Sequence, residues 1–152
     1  MKERSMVTMS TRKDNRRFRI GEVRFMTFYG IESEQQGLRP ALVFQNNVGN
    51  DNSPNTIVLP MTSAQKKLGQ PTHVFVPKSV GLKADSIILC ENPQCVSKSR
   101  LGECIITLPD AYMAKVAEAS LLATSALSFL SPDRLHDIRE RSVALNGTRV
   151  QS

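Results

Sequence analysis

The 152-residue chain is 40% apolar and carries a formal charge of +6. That length fits one domain with a real core and would crowd two; the apolar share excludes a fibre or a wholly disordered chain, and no apolar run approaches bilayer-spanning length. The charge is uneven: residues 1–19 hold seven basic residues against Glu3 and Asp14, whereas residues 20–131 hold nine of each sign.

A high isoelectric point suggests nucleic acid. Here the excess sits in a leader, which reads either as a solvated tail or as an arm that steers RNA. The first residues are polar and basic with no apolar stretch behind them, so no secretory signal is expected and a cytoplasmic location is. Cys90, Cys95 and Cys104 form no C-x-x-C, and only His73 and His136 could join them, so no metal site is expected and the thiols read as reduced. No cofactor signature is present.

Met1–Arg19 lacks periodicity and reads as a disordered basic leader. Order is expected from Ile20. Glu22–Phe28 is an imperfect strand, with Val23 and Phe25 on one parity and Met26 and Phe28 on the other. A polar loop bounded by Gly30 and Gly37 follows. Ala41–Phe44 is a short apolar run suited to a central strand covered on both faces. Asn46–Asn55 is a dense turn signal. Thr56–Leu59 is a strand ending in Pro60-Met61-Thr62-Ser63. Further strands are expected at Thr72–Val76, Ser86–Cys90 and Glu103–Thr107.

The period then changes to three and four. Met113, Val116, Ala117, Ser120, Leu121, Thr124 and Leu127 mark one amphipathic helix from about Pro109 to Phe129, stopped by Ser131-Pro132. The domain is expected to span 20–131, with a short polar helix and frayed tail over 132–152. The strand spacing is too tight for parallel crossovers, which excludes Rossmann and P-loop folds. A mainly β fold is expected: a small antiparallel barrel or sandwich closed by the C-terminal helix.

The residues that could carry chemistry lie at strand ends. Arg39, between Leu38 and Pro40, could grip a phosphate through two parallel hydrogen bonds, or form a surface ion pair with Glu32 or Glu34. The hydroxyls of Thr62 and Ser63 end their strand, where such groups also satisfy backbone. His73 lies on a strand and points outward or acts as a base. Glu91 could pair with Arg39 or Arg100. Cys90 sits inside an apolar run and reads as an inert thiol. Phe28, Tyr29 and Gln94 are candidates for stacking or reading unpaired bases, whereas Phe25, Phe44 and Phe75 read as core.

Taken in order, Gly21-Glu22-Val23, Ser33-Glu34-Gln35-Gln36-Gly37-Leu38-Arg39-Pro40-Ala41-Leu42-Val43, Val48-Gly49-Asn50, Ile57-Val58-Leu59-Pro60-Met61-Thr62, Pro71-Thr72-His73-Val74, Asp85-Ser86-Ile87-Ile88-Leu89 and Arg100-Leu101-Gly102 form a series that resembles the MazF/PemK family of toxin–antitoxin toxins over about residues 20–130. The resemblance implies an SH3-like barrel, a homodimer, and sequence-specific, metal-independent cleavage of single-stranded RNA. It implies catalytic roles for Arg39 and Thr62 and an RNA-shaping loop at Ser33, Glu34 and Gln35. It also implies an antitoxin peptide in the dimer groove, and no membrane partner. Family members often carry Glu-Gln-Ile-Arg where this chain has Glu91-Asn92-Pro93-Gln94, so an arginine is missing there. The alternative reading is a non-nucleolytic dimer that binds a protein partner, or a gyrase-directed toxin of similar fold.

Overall fold

The computed structural model describes residues 16–30, 36–63 and 69–146. Seven antiparallel strands are followed by two longer helices: β1 (Glu22–Tyr29), β2 (Gln36–Val43), a short helix α1 (Asn47–Asn52), β3 (Asn55–Ser63), β4 (His73–Val76), β5 (Ser86–Leu89), β6 (Gln94–Ser97), β7 (Leu101–Thr107), α2 (Asp110–Ala123) and α3 (Pro132–Leu145). The strands lie in the order β4-β5-β3-β2-β1-β7, with β6 also paired to β3.

The long strand β3 is the hub. Its first residues pair with β6 (Asn55↔Ser97 to Val58↔Gln94), its middle with β2 (Val58↔Val43 to Pro60↔Ala41), and its last three with β5 (Met61↔Ile88 to Ser63↔Ser86). The run Ala41–Val43 is fully buried, as a strand covered on both faces requires. One core, holding Val23, Leu42, Leu59, Met61 and Ile88, packs against Val116 and Ala119 of α2. The other lies across the sheet and gathers Phe18, Met26, Phe28, Val43, Val58, Val96 and Leu101.

This is a correction to the mainly β, closed SH3-like barrel expected from the sequence. The two outermost strands, β4 and β7, do not pair, so the sheet stays open. Helix and strand are also present in comparable amounts among the described residues, giving a mixed α/β fold. The chain leaves β7 through Leu108 into α2, and α2 packs on β4. Apolar surface that closure would have buried is thereby covered by a helix.

Three local differences have clear causes. The Asn-rich segment is helical rather than a turn. The Asn46 side chain caps it by accepting from the Gly49 backbone N–H at 2.9 Å, and the buried Asn50 accepts from Thr56 Oγ1 at 2.7 Å. The helix after β7 ends at Ala123 and buries Val116 and Ala119, whereas Ala117, Leu121, Thr124 and Leu127 of the stripe read from the sequence are exposed. Phe18, assigned to the leader, is 1% exposed and belongs to the core. No helix among the described residues is long and apolar enough to cross a membrane.

Leu59→Ala should lower stability by about 2–5 kcal/mol, because it opens a cavity under β3. Leu122→Ala, on the exposed side of α2, should stay within about 0.5 kcal/mol. Urea unfolding of the two variants checks both; equal losses would contradict the placement of the core.

Candidate active site

The pairs Val43↔Val58, Leu42↔Leu59 and Ala41↔Pro60 fix the register of β2 on β3. Continued by two residues, it sets Arg39 opposite Thr62, on the same face of the sheet. The side chains meet there: Arg39 Nη1 donates to Thr62 Oγ1 at 3.3 Å. The ladder itself stops at Pro60, where β3 turns to β5. Proline has no N–H to offer a neighbouring strand, and both Pro40 and Pro60 lie at this seam. The strands separate beyond it and leave a cavity of about 350 Å³, lined by Phe25, Leu38, Arg39, Thr62, Ser63 and Lys83 among others.

A guanidinium hydrogen-bonded to a hydroxyl at the rim of a half-open cavity is suited to an anion. Arginine keeps its proton under all ordinary conditions, so Arg39 can clamp and polarise a phosphate, and Thr62 can orient a second oxygen. Ser63 is exposed and lines the same cavity. These three, read from the sequence as strand-end groups, are brought together.

The other candidates fall elsewhere. Phe28 is 3% exposed and part of the core, so it has no face to offer a base. Gln94 is half-buried opposite Val58, four residues along β3 from Thr62, and does not line the cavity. Glu91 pairs with neither Arg39 nor Arg100. Its Oε2 is 2.8 Å from His73 Nε2. His73 therefore points inward, not outward: its side chain is 10% exposed and its buried Nδ1 has no hydrogen-bond partner among the described residues. It lines a separate groove of about 540 Å³ between β4 and α2. Ser33, Glu34 and Gln35 lie outside the described residues.

Sequence reading missed Phe25, Leu38 and Lys83 as walls of the cavity. The signal was present in the parity of β1. Phe25, Thr27 and Tyr29 share the face opposite to Met26 and Phe28, and only the latter two are buried.

The family model for PemK-like, MazF-like toxins of type II toxin–antitoxin systems matches residues 19–122. Endoribonuclease EndoA of Bacillus subtilis is 41% identical over 100 residues, covering 65% of this chain and 86% of that protein. The Mycobacterium tuberculosis toxin MazF-mt6 superposes with a TM-score of 0.57 at 25% identity, over 67% of this chain and 94% of that one. An endoribonuclease from a mycobacterial species, solved in complex with its cognate antitoxin, has the same fold, with a TM-score of 0.58 at 22% identity over 75% and 98%.

The thiols provide a check on the placement of the core. Burial pushes the Cys90 thiol up to about 11, whereas Cys95 is exposed. A raised thiol pKa keeps the group protonated and unreactive below that value. Iodoacetamide at pH 8 should label Cys95 readily and leave Cys90 untouched in the folded protein. Peptide mapping reads the outcome, and rapid labelling of Cys90 would contradict its buried position.

Proposed function

The chain belongs to the PemK-like, MazF-like toxins of type II toxin–antitoxin systems, and from that premise we propose that it is an endoribonuclease that cuts single-stranded RNA at the Arg39–Thr62 pair. The observation that carries the reading is the hydrogen bond between Arg39 Nη1 and Thr62 Oγ1 at the mouth of the cavity. Sequence places these groups 23 residues apart, and the β2–β3 register joins them.

RNA supplies its own nucleophile. The 2′-oxygen forms a bond to phosphorus as the bond from phosphorus to the 5′-oxygen breaks. One proton leaves the 2′-hydroxyl and one reaches the departing 5′-oxygen, so the products are a 2′,3′-cyclic phosphate and a 5′-hydroxyl. The protein needs to align these atoms and stabilise charge gathering on the phosphoryl oxygens. Arg39 serves as clamp and as hydrogen-bond donor toward the charge, and Thr62 orients the 2′-hydroxyl or a phosphoryl oxygen. Arg39 is too weak a base to take the 2′ proton; Glu34, five residues before it in the sequence, is the proposed candidate for that role, and it lies outside the described residues. The donors invoked are all protein groups, so the reaction is proposed to need no metal.

The same reading makes the working form a homodimer whose groove accepts an antitoxin peptide. That an endoribonuclease of the same fold from a mycobacterial species was solved in complex with its cognate antitoxin supports the antitoxin partner.

Incubated with long single-stranded RNA in EDTA, the protein should cleave it. Arg39→Ala should lower the rate by roughly two to three powers of ten, the usual cost of one well-aimed transition-state donor, and Thr62→Ala should fall in the same direction. No cleavage across many sequence contexts would sink the reading. Cleavage undiminished in Arg39→Ala would sink the mechanism, and loss of activity in EDTA would sink its metal independence.

A further inference from the structure

On the face of β1 that borders the cavity, Phe25, Thr27 and Tyr29 stand opposite Pro40, Leu38 and Gln36 of β2. At about 3.3 Å per residue, the two rings lie about 13 Å apart along the strand. Each carries a cation. Lys83 Nζ is 5.8 Å from the centre of the Phe25 ring, and the Arg100 guanidinium carbon is 5.5 Å from the centre of the Tyr29 ring. Tyr29 is 80% exposed and Leu38, beside Thr27, 68%.

The Tyr29 ring belongs to neither core. Arg100 is nonetheless fixed, donating from Nη2 to the Thr27 carbonyl at 2.7 Å. Its partners are a carbonyl and a ring, so no carboxylate among the described residues cancels its charge. The same holds for Lys83. A solvent-facing aromatic ring with a tethered, uncancelled cation above it is the pairing that holds single-stranded nucleic acid: the ring stacks a base and the cation meets its phosphate. The inner pair, Phe25 and Lys83, lines the cavity that holds Arg39 and Thr62.

The geometry points to the outer face of β1 as a stacking rail for the RNA strand entering or leaving the cleavage site, with Tyr29 and Arg100 as its outer subsite. This rests on the reading of the chain as an RNA-cutting enzyme, and it names residues that bind flanking nucleotides rather than the reacting ones. Tyr29 and Arg100 raise affinity without touching the scissile bond. The rail also supplies cations on the body of the protein, where the balance of charged residues alone shows no excess.

The test uses the full chain and a fluorescent single-stranded RNA methylated at every 2′-oxygen, which lacks the nucleophile and stays uncut. Tyr29→Ala should weaken binding roughly tenfold, within the range for one base–aromatic stack, and Tyr29→Phe should restore it. Arg100→Ala should weaken binding and reduce the salt slope by about 0.7, the share of one phosphate contact on a single strand. On the same probe built with abasic residues, Tyr29→Ala should bind as the unaltered chain does. Unchanged affinity in both alanine variants would overturn the rail, as would a Tyr29→Ala loss that persists on the abasic probe. A change in the sedimentation mass of RNA-free Tyr29→Ala would assign the patch to protein contact and overturn it too. Because binding is read without cleavage, these outcomes are separate from the Arg39→Ala rate test: a protein that fails to cut RNA can still show the rail, and one that cuts can lack it.

Discussion

Everything about the site depends on one strand changing partners. β3 pairs with β2 as far as Pro60 and with β5 from Met61 onward. A strand can do this only if its ladder is interrupted, and a proline supplies the interruption by removing a donor. Before the switch, Leu59 and Val58 anchor the two cores on opposite faces. After it, β2 keeps β1 as a neighbour but has lost β3, and its residue Arg39 reaches Thr62 by side chain rather than by backbone. The cavity is the wedge between the separating strands. A rigid sheet therefore holds two polar groups at the edge of a space it cannot itself fill, a placement favoured for function.

That much was legible in the sequence, and for physical reasons. Pro60-Met61-Thr62 after an apolar run marks the end of β3, whereas Arg39, expected at the mouth of a strand beginning near Ala41, lies inside β2, which starts at Gln36. Short antiparallel spacing excluded a crossover fold. What the sequence could not carry was which strand ends meet, because register is a long-range property. The resemblance supplied that for Arg39 and Thr62 but not for Glu91, whose partner is His73 across the β4–β5 edge. Closure of the sheet failed for a similar reason: whether β4 and β7 meet is decided by where α2 lands, and the amphipathic period of α2 says only that it is a helix with one buried side.

The error at Phe28 and Phe25 has a more local origin. The register of β1 on β2 is unbroken from Val23↔Leu42 to Tyr29↔Gln36, so the side chains of β1 alternate strictly, and the irregularities in its pairing with β7 are taken up by skipped residues of β7. Val23 faces the helix-side core, while Met26 and Phe28 face the other. Apolar residues are thus needed on both faces of β1, which is why the pattern in the sequence alternates imperfectly. Read by parity, Phe28 is core, and Phe25 and Tyr29 lie on the cavity side.

The same shift in view applies to charge. Most of the positive excess lies before residue 20, yet the described end of that leader is occupied in holding structure. Phe18 sits in the core with Arg24 4.2 Å from its ring and Arg16 and Lys98 close by. Arg16 donates to the Leu101 carbonyl at 2.6 Å, and Arg17 and Arg19 share Asp51. Cations bound this way contribute to the general field but are not placed to meet a phosphate. A few cations matter more for recognition than the total. Lys83 lies over the Phe25 ring at the Arg39 cavity, and Arg100 is tied to the Thr27 carbonyl farther along β1, with no carboxylate partner for either among the described residues, so their charges stay available. A body with nine charges of each sign over residues 20–131 can therefore present a locally positive path, because attraction to a strand of phosphates depends on where uncancelled charge is anchored and not on its sum.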